Sequence, residues 1–145
     1  MEKSLLSPSP KIFEQSAVIP YRRIAGDIEF LLITSIRRGR WIVPKGIVEP
    51  HLSPQESAAI EALEEAGIEG VVEDGLVGEY HYEKWGGVCQ VQVFLMRVTE
   101  VVADWLEADV RQRAWVSPEE AQRRVALDDL GELLGLAAET LRSPA

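Results

Sequence analysis

Aliphatic residues crowd two early stretches, 16–23 (SAVIPYRR) and 28–36 (IEFLLITSI), on either side of Gly26-Asp27. That density of β-branched and aliphatic side chains, broken by a turn signal, predicts two strands. Trp41-Ile42-Val43 is a third short apolar run, and Pro44 opens a loop expected to last until Ser53. The pattern then changes period. Ser53-Pro54-Gln55-Glu56 combines an N-cap serine, proline at the first helical position and a glutamate at the third, which is a capping box. The helix is expected to run to Ala66, with Gly67 as its left-handed stop. Its apolar stripe is read as Ala59, Ala62, Leu63 and Ala66, with the glutamates on the flank facing away. Strands follow at 70–72, 76–82, 88–98 and 113–116, with Trp85-Gly86-Gly87 as a turn. Ser117-Pro118-Glu119-Glu120 starts a second helix to about Val125, and a third spans 128–141 with Leu130, Leu133, Leu134 and Leu136 to pack. Strands around one early helix, with helices at the end, predict an α+β sandwich. No repeat or linker interrupts the pattern. Residues 1–12, with Ser-Pro-Ser-Pro at 7–10, are read as a flexible arm, and 13–145 as one domain.

Composition narrows the function. The 145 residues suffice for one domain with a sizeable core, and 46% hydrophobic with 27% charged residues describe a globular chain. No apolar run approaches the roughly 20 residues that cross a bilayer, and the start MEKSLLSPSPK has no apolar signal core. Cys89 is the only cysteine, so no internal disulfide forms and a cytoplasmic setting is expected. A net charge of −9 argues against a stable nucleic-acid partner held by a basic patch. It leaves room for a phosphorylated small molecule, whose charge a bound cation and a few arginines neutralise locally.

One cluster points to such chemistry. Glu61, Glu64 and Glu65 stand at i, i+3, i+4 just before Gly67, placing three carboxylates on one face of one turn. Like charges so placed cost a few tenths of a kcal/mol per exposed pair, and a hard divalent cation relieves that repulsion. In isolation the pattern reads more readily as a solvated acidic face. Its surroundings change the balance. Gly46, then Glu61-Ala62-Leu63-Glu64-Glu65-Ala66-Gly67-Ile68, resembles the Nudix box, G-x5-E-x7-R-E-U-x-E-E-x-G-U with U aliphatic. Matches fall on Gly46, Glu61, Glu64, Glu65, Gly67 and Ile68, and Ala62 is a small apolar residue at the other U position.

Leu52 and Ile60 depart from the pattern, standing where the family has glutamate and arginine, a pair that typically braces the loop against the helix. Replacing a whole ion pair by apolar groups is often neutral, whereas losing one partner typically costs about 3–5 kcal/mol. A direct Leu52–Ile60 contact is therefore expected as a hydrophobic brace, one that a double-mutant cycle would register as coupling.

Flanking segments extend the likeness. Arg40-Trp41-Ile42-Val43-Pro44, Glu49-Pro50, Val98-Thr99-Glu100-Val101 with Trp105, and Arg111-Gln112-Arg113-Ala114-Trp115 before Pro118-Glu119-Glu120-Ala121 resemble the diphosphoinositol polyphosphate and diadenosine polyphosphate hydrolase branch. Pro44-Lys45-Gly46 is nearer the diadenosine type.

The resemblance implies a Nudix-type α/β/α sandwich with a mixed sheet and a catalytic loop-helix. It implies hydrolysis of a diphosphate linkage in a nucleoside diphosphate derivative, foremost a dinucleoside polyphosphate. Glu61 and Glu65, with the Lys45 backbone carbonyl, would bind Mg2+ or Mn2+, and Glu64 would be the general base and a further metal ligand. Arg37, Arg38 and Arg40, with Arg111, are candidates to grip substrate phosphates, against a solvated turn for the first three and an ion pair for the last. Glu100, Glu107 and Asp109 are acids from which one would complete the metal site. Tyr80, Tyr82 and Trp85 suit base stacking but sheet packing better, His51 and His81 lack ligand spacing, and Trp105 and Trp115 read as scaffold. Alternative substrates are an inositol pyrophosphate, a nucleotide sugar, an oxidised nucleotide or capped RNA. A nucleotide-sensing domain with weak catalysis, or a purely structural domain, are the rivals from other classes.

Overall fold

The computed structural model describes residues 11–143. Strands β1 (Lys11–Ile24), β2 (Asp27–Thr34), β3 (Trp41–Ile42), β4 (Lys45–Ile47), β5 (Ile68–Lys84), β6 (Gly87–Val101) and β7 (Arg113–Val116) form one mixed sheet. Its order is β3-β2-β1-β6-β5, with β4 also on β1 and β7 also on β2. β1 and β6 run parallel through the centre, from Lys11 opposite Gly87 to Tyr21 opposite Arg97, and the other pairings are antiparallel. The helices are α1 (Pro54–Glu61), which continues into a π-helical turn at Ala62–Ala66, α2 (Pro118–Arg124) and α3 (Asp128–Arg142).

Period-two alternation sorts the core into two layers. Ala17, Ile19, Tyr21, Phe30, Leu32, Val93 and Leu95 face α2 and α3, meeting Ala121, Leu130, Leu134, Ala137 and Leu141. Val18, Leu31, Ile33 and Met96, one residue out of phase, face the opposite way onto Ala58, Ala62 and Ala66. The result is an α/β/α sandwich, as the resemblance implied. Alanine at all three contact points lets the α1 backbone approach the sheet closely.

Three local expectations shift. The segments 70–72 and 76–82 belong to a single strand, β5, because Asp74-Gly75 produces register irregularities against β6 and not a break. The loop after Pro44 contains β4, which pairs Lys45, Gly46 and Ile47 with Ala17, Ser16 and Gln15. Residues 1–10 of the expected arm lie outside the described residues, and its last two, Lys11 and Ile12, are paired in β1.

Candidate active site

The N-terminus of α1 is fixed as its sequence predicts. Ser53 Oγ accepts from the Glu56 N–H at 3.0 Å, and Glu56 Oε1 accepts from the Ser53 N–H at 2.9 Å. The loop from β4 is tied to the same turn by the Glu49 N–H, which donates to Ser57 Oγ at 3.1 Å. Leu52 is half-buried and Ile60 is 45% exposed, and the Ser57 hydroxyl adds a polar tie between loop and helix. At the other end Gly67 closes the π turn with φ +67°, a left-handed conformation that favours glycine.

The buried stripe is Ala58, Ala62 and Ala66, while Leu63 is 40% exposed. The expected stripe of Ala59, Ala62, Leu63 and Ala66 is thus rotated, and Glu65 turns inward with it, 8% exposed. An inward carboxylate is tolerable because donors meet it. The Lys45 N–H donates to Glu65 Oε1 at 3.2 Å, and Arg111 Nη2 lies 3.5 Å from Oε2. Burial still dominates, pushing the Glu65 carboxyl up to about 7 against the pull of Arg111 and the Lys45 N–H, with Glu61 and Glu107 adding to the rise.

Glu61 is also raised, by burial first and then by the Glu64 charge, while a hydrogen bond with Glu65 opposes the rise. Its carboxylate lies over Gly46, where a Cβ would overlap it. Glycine is therefore required at this position by close approach, with no unusual φ involved. Two carboxylates in mutual contact, both resisting ionisation, and a third on the same turn form an all-oxygen donor set suited to a hard cation. Among the described residues no three such side chains are grouped tightly enough to hold an ion, and Glu64 is partly exposed.

The C-terminal carbonyls of this turn are collected by residues 102–113. The Glu107 N–H donates to Glu64 O at 3.2 Å, Trp105 Nε1 to Glu65 O at 3.0 Å, Arg113 Nη1 to Ala66 O at 2.8 Å, and the Val102 N–H to Gly67 O at 2.7 Å. Arg113 stacks on the Trp105 ring at 3.8 Å, which makes Trp105 scaffold as expected. Trp115 packs beneath the α1 layer with Arg22 over its ring. Of the three outer acids, Glu107 is the one whose charge reaches both Glu61 and Glu65. Glu100 pairs across to Glu69 on the sheet, and Asp109 is exposed.

The predicted cations separate into three groups. Arg37 and Arg38 are exposed on the turn after β2. Arg111 is held inside, its side chain 8% exposed, with Nε on Glu107 Oε1 at 2.6 Å and Nη1 on the Thr34 carbonyl at 2.9 Å. Arg40 lines a cavity of about 250 Å³ together with Trp41, Lys45, Tyr80, Tyr82 and Leu130. Tyr80 and Tyr82 stack there at 6.3 Å, and Lys45 Nζ donates to Tyr82 Oη at 2.8 Å, which in turn donates to buried Gln15 at 2.7 Å. Burial raises both phenols above their ordinary range and lowers the Lys45 amine. Trp85 sits apart on the β5–β6 turn against Phe13, and His51 and His81 are exposed.

Sequence reasoning missed the Lys45–Tyr82–Gln15 chain and the bracing by residues 102–113. The periodic burial of Tyr80 and Tyr82 beside the apolar run 41–43 was its only trace.

Known proteins resemble this chain in sequence and fold. A family profile described as the NUDIX domain matches residues 15–134. Nudix hydrolase 17, mitochondrial, of Arabidopsis thaliana is 35% identical over 135 residues, covering 87% of this chain and 74% of that one. Diphosphoinositol polyphosphate phosphohydrolase 3-beta of Bos taurus is 33% identical over 115 residues, covering 77% and 69%. The crystal structure of a C. elegans Ap4A hydrolase binary complex superposes with a TM-score of 0.77 at 27% identity, covering 89% of this chain and 97% of that chain. The chain spans only 63% of the length of two other mitochondrial Nudix hydrolases of Arabidopsis thaliana, numbers 12 and 13. No helix among the described residues is long and apolar enough to cross a membrane. With the profile matched over residues 15–134, a relative 35% identical over most of both chains, and Glu61 seated against Gly46, the chain belongs to the Nudix hydrolase family.

Proposed function

We propose that the protein hydrolyses the diphosphate linkage of a nucleoside diphosphate derivative, foremost a dinucleoside polyphosphate, with Mg2+ or Mn2+. The observation that carries this reading is the position of Lys45. Its N–H meets Glu65 in the carboxylate cluster, and its side chain lines the aromatic cavity with Tyr80 and Tyr82. One residue therefore joins the place where phosphates react to a slot suited to a planar ring.

Glu61, Glu65 and the Lys45 carbonyl would hold the cation, with Glu107 as the outer acid, and the cation supplies charge neutralisation on phosphoryl oxygens. Glu64, partly exposed and able to turn toward the substrate, accepts the proton of the attacking water as general base. Arg40, at the cavity mouth with Lys45, contacts a substrate phosphate. Arg37 and Arg38 stand outside that cavity's lining, and Arg111 is engaged within the protein. The cavity walls carry only these two cations, few for a highly phosphorylated inositol, and that favours a nucleotide. The cytoplasm remains the proposed compartment, although several relatives are named mitochondrial.

The test is a panel of dinucleoside polyphosphates, nucleotide sugars, oxidised nucleotides, capped RNA and an inositol pyrophosphate, each assayed with Mg2+. Turnover should be highest for a dinucleoside polyphosphate, and Glu64→Gln should lower kcat by about 10²–10⁴-fold while leaving ligand affinity nearly intact. Preference for the inositol substrate would overturn the nucleotide assignment. Tight nucleotide binding without turnover would identify a sensor.

A further inference from the structure

Arg111 is too deeply placed and too fully bonded to serve as a surface charge. Its side chain is 8% exposed, and its guanidinium touches three separate segments. The short bonds go to Glu107 at 2.6 Å and to the Thr34 carbonyl at 2.9 Å, whereas Glu65 lies further off at 3.5 Å. Thr34 is itself fixed, its N–H donating to the Gln112 carbonyl and its Oγ1 accepting from the Gln112 N–H. The guanidinium is thus anchored by groups other than Glu65 and stands as a stationary positive charge beside that carboxylate.

We propose that Arg111 is a resident counter-ion of the Glu65 and Glu107 carboxylates, holding the cluster together without a cation and weakening the grip on a cation when one binds. The proposal rests on the reading above that Glu65 is a metal ligand. Its physical basis is competition for the same charge. A buried carboxylate needs a positive partner, and Arg111 provides one that stays in place. A divalent ion at Glu65 then meets a like charge a few ångströms away in a poorly solvated setting, and that repulsion lowers its affinity. Residues 60 and 52 supply no charge here, so the compensation comes from outside the box.

The competition has opposite signs in two measurements, which separates it from ordinary structural support. Mn2+ affinity is measured by calorimetric titration, and melting temperature in EDTA and in Mn2+, for the wild type, Arg111→Met and Arg111→Lys. Arg111→Met should melt lower than the wild type in EDTA, regain most of that loss in Mn2+, and bind Mn2+ at least about tenfold more tightly. Arg111→Lys, which keeps the charge, should stay within about threefold of the wild-type affinity. Unchanged or weaker Mn2+ binding by Arg111→Met overturns the proposal, as does an equal gain in Arg111→Lys. If Arg111→Met cannot be recovered folded in EDTA, it is refolded in Mn2+, with Arg111→Gln as a second neutral variant. Failure of both to fold even in Mn2+ also overturns it, because the cation should then replace the guanidinium. Absence of Mn2+ binding by the wild type would instead defeat the metal reading itself, a result recognisable before any variant is compared.

Discussion

Gly46→Ala isolates the role of the glycine that opens the box. An added Cβ would lie 2.7 Å from Glu61 Cγ, and closer still to its carboxylate, where ordinary contact begins at 3.4 Å. The carboxylate, as the nearest group, sets the shift, so the Glu61 side chain must withdraw by roughly 1 Å, since β4 is pinned to β1 on its other side. A flexible side chain does this cheaply, and an off-rotamer shift costs about 0.5–1.5 kcal/mol. A catalytic array is less forgiving, and a displacement near 1 Å costs about 10²-fold in rate. Gly46→Ala should lower kcat/KM by about 10²-fold and weaken Mn2+ binding, while lowering Tm by only a few degrees. Gly75→Ala is the control, because nothing lies within 4 Å of a Cβ there. Steady-state kinetics on the best substrate of the panel, with parallel melts, decides the matter. Activity of Gly46→Ala within about threefold of wild type would refute the reasoning, and so would a loss that merely tracks unfolding.

Two further changes probe the supports of the site and of the fold. Trp105→Phe keeps an aromatic face for Arg113 but removes the donor to the Glu65 carbonyl, which should cost about 1–3 kcal/mol of stability in urea unfolding. Arg142 holds both Asp27 and Glu119 below their ordinary carboxyl values of 3.8 and 4.5, so this link stabilises the fold above those values and is lost as pH falls through the lowered ones. Arg142→Ala should accordingly narrow the difference in Tm between pH 7 and about pH 3; an unaltered difference would remove the link from the acid response.

The elements that local chemistry encodes were legible in the chain. Ser53, Glu56 and Gly67 announce the two ends of the glutamate-bearing helix because each acts on backbone within a few residues of itself. The alternation of Ala17, Val18, Ile19 and of Phe30, Leu31, Leu32, Ile33 likewise announces a sheet covered on both faces. The inward turn of Glu65 was not legible, because it depends on Lys45 and Arg111, 20 and 46 positions away. The Ser57 tie was not legible for another reason: a serine hydroxyl bonding a main-chain N–H eight positions away leaves no signature in the side-chain pattern. For Arg111 the ion-pair alternative was legible, since Glu107 stands four positions before it, but its depth was not, because that depends on the Thr34 carbonyl 77 positions away.

The way residues 102–113 collect the carbonyls of Glu64 through Gly67 has a consequence for how the protein folds. Those acceptors find their partners only once β5 and β6 have paired as a hairpin, because the bond from Val102 to Gly67 extends the ladder that sets Ile68 opposite Val101. Each partner lies tens of positions further along the chain, so none of these bonds forms before that hairpin closes. The turn carrying Glu61, Glu64 and Glu65 therefore cannot mature as an autonomous helix, and a nascent chain ending near residue 100 would leave its last carbonyls to water. In hydrogen exchange, the amides of the turn should be protected together with the β5–β6 hairpin and not fray ahead of it. The turn would then open together with that hairpin, and partly unfolded forms lacking it would lack an organised carboxylate cluster.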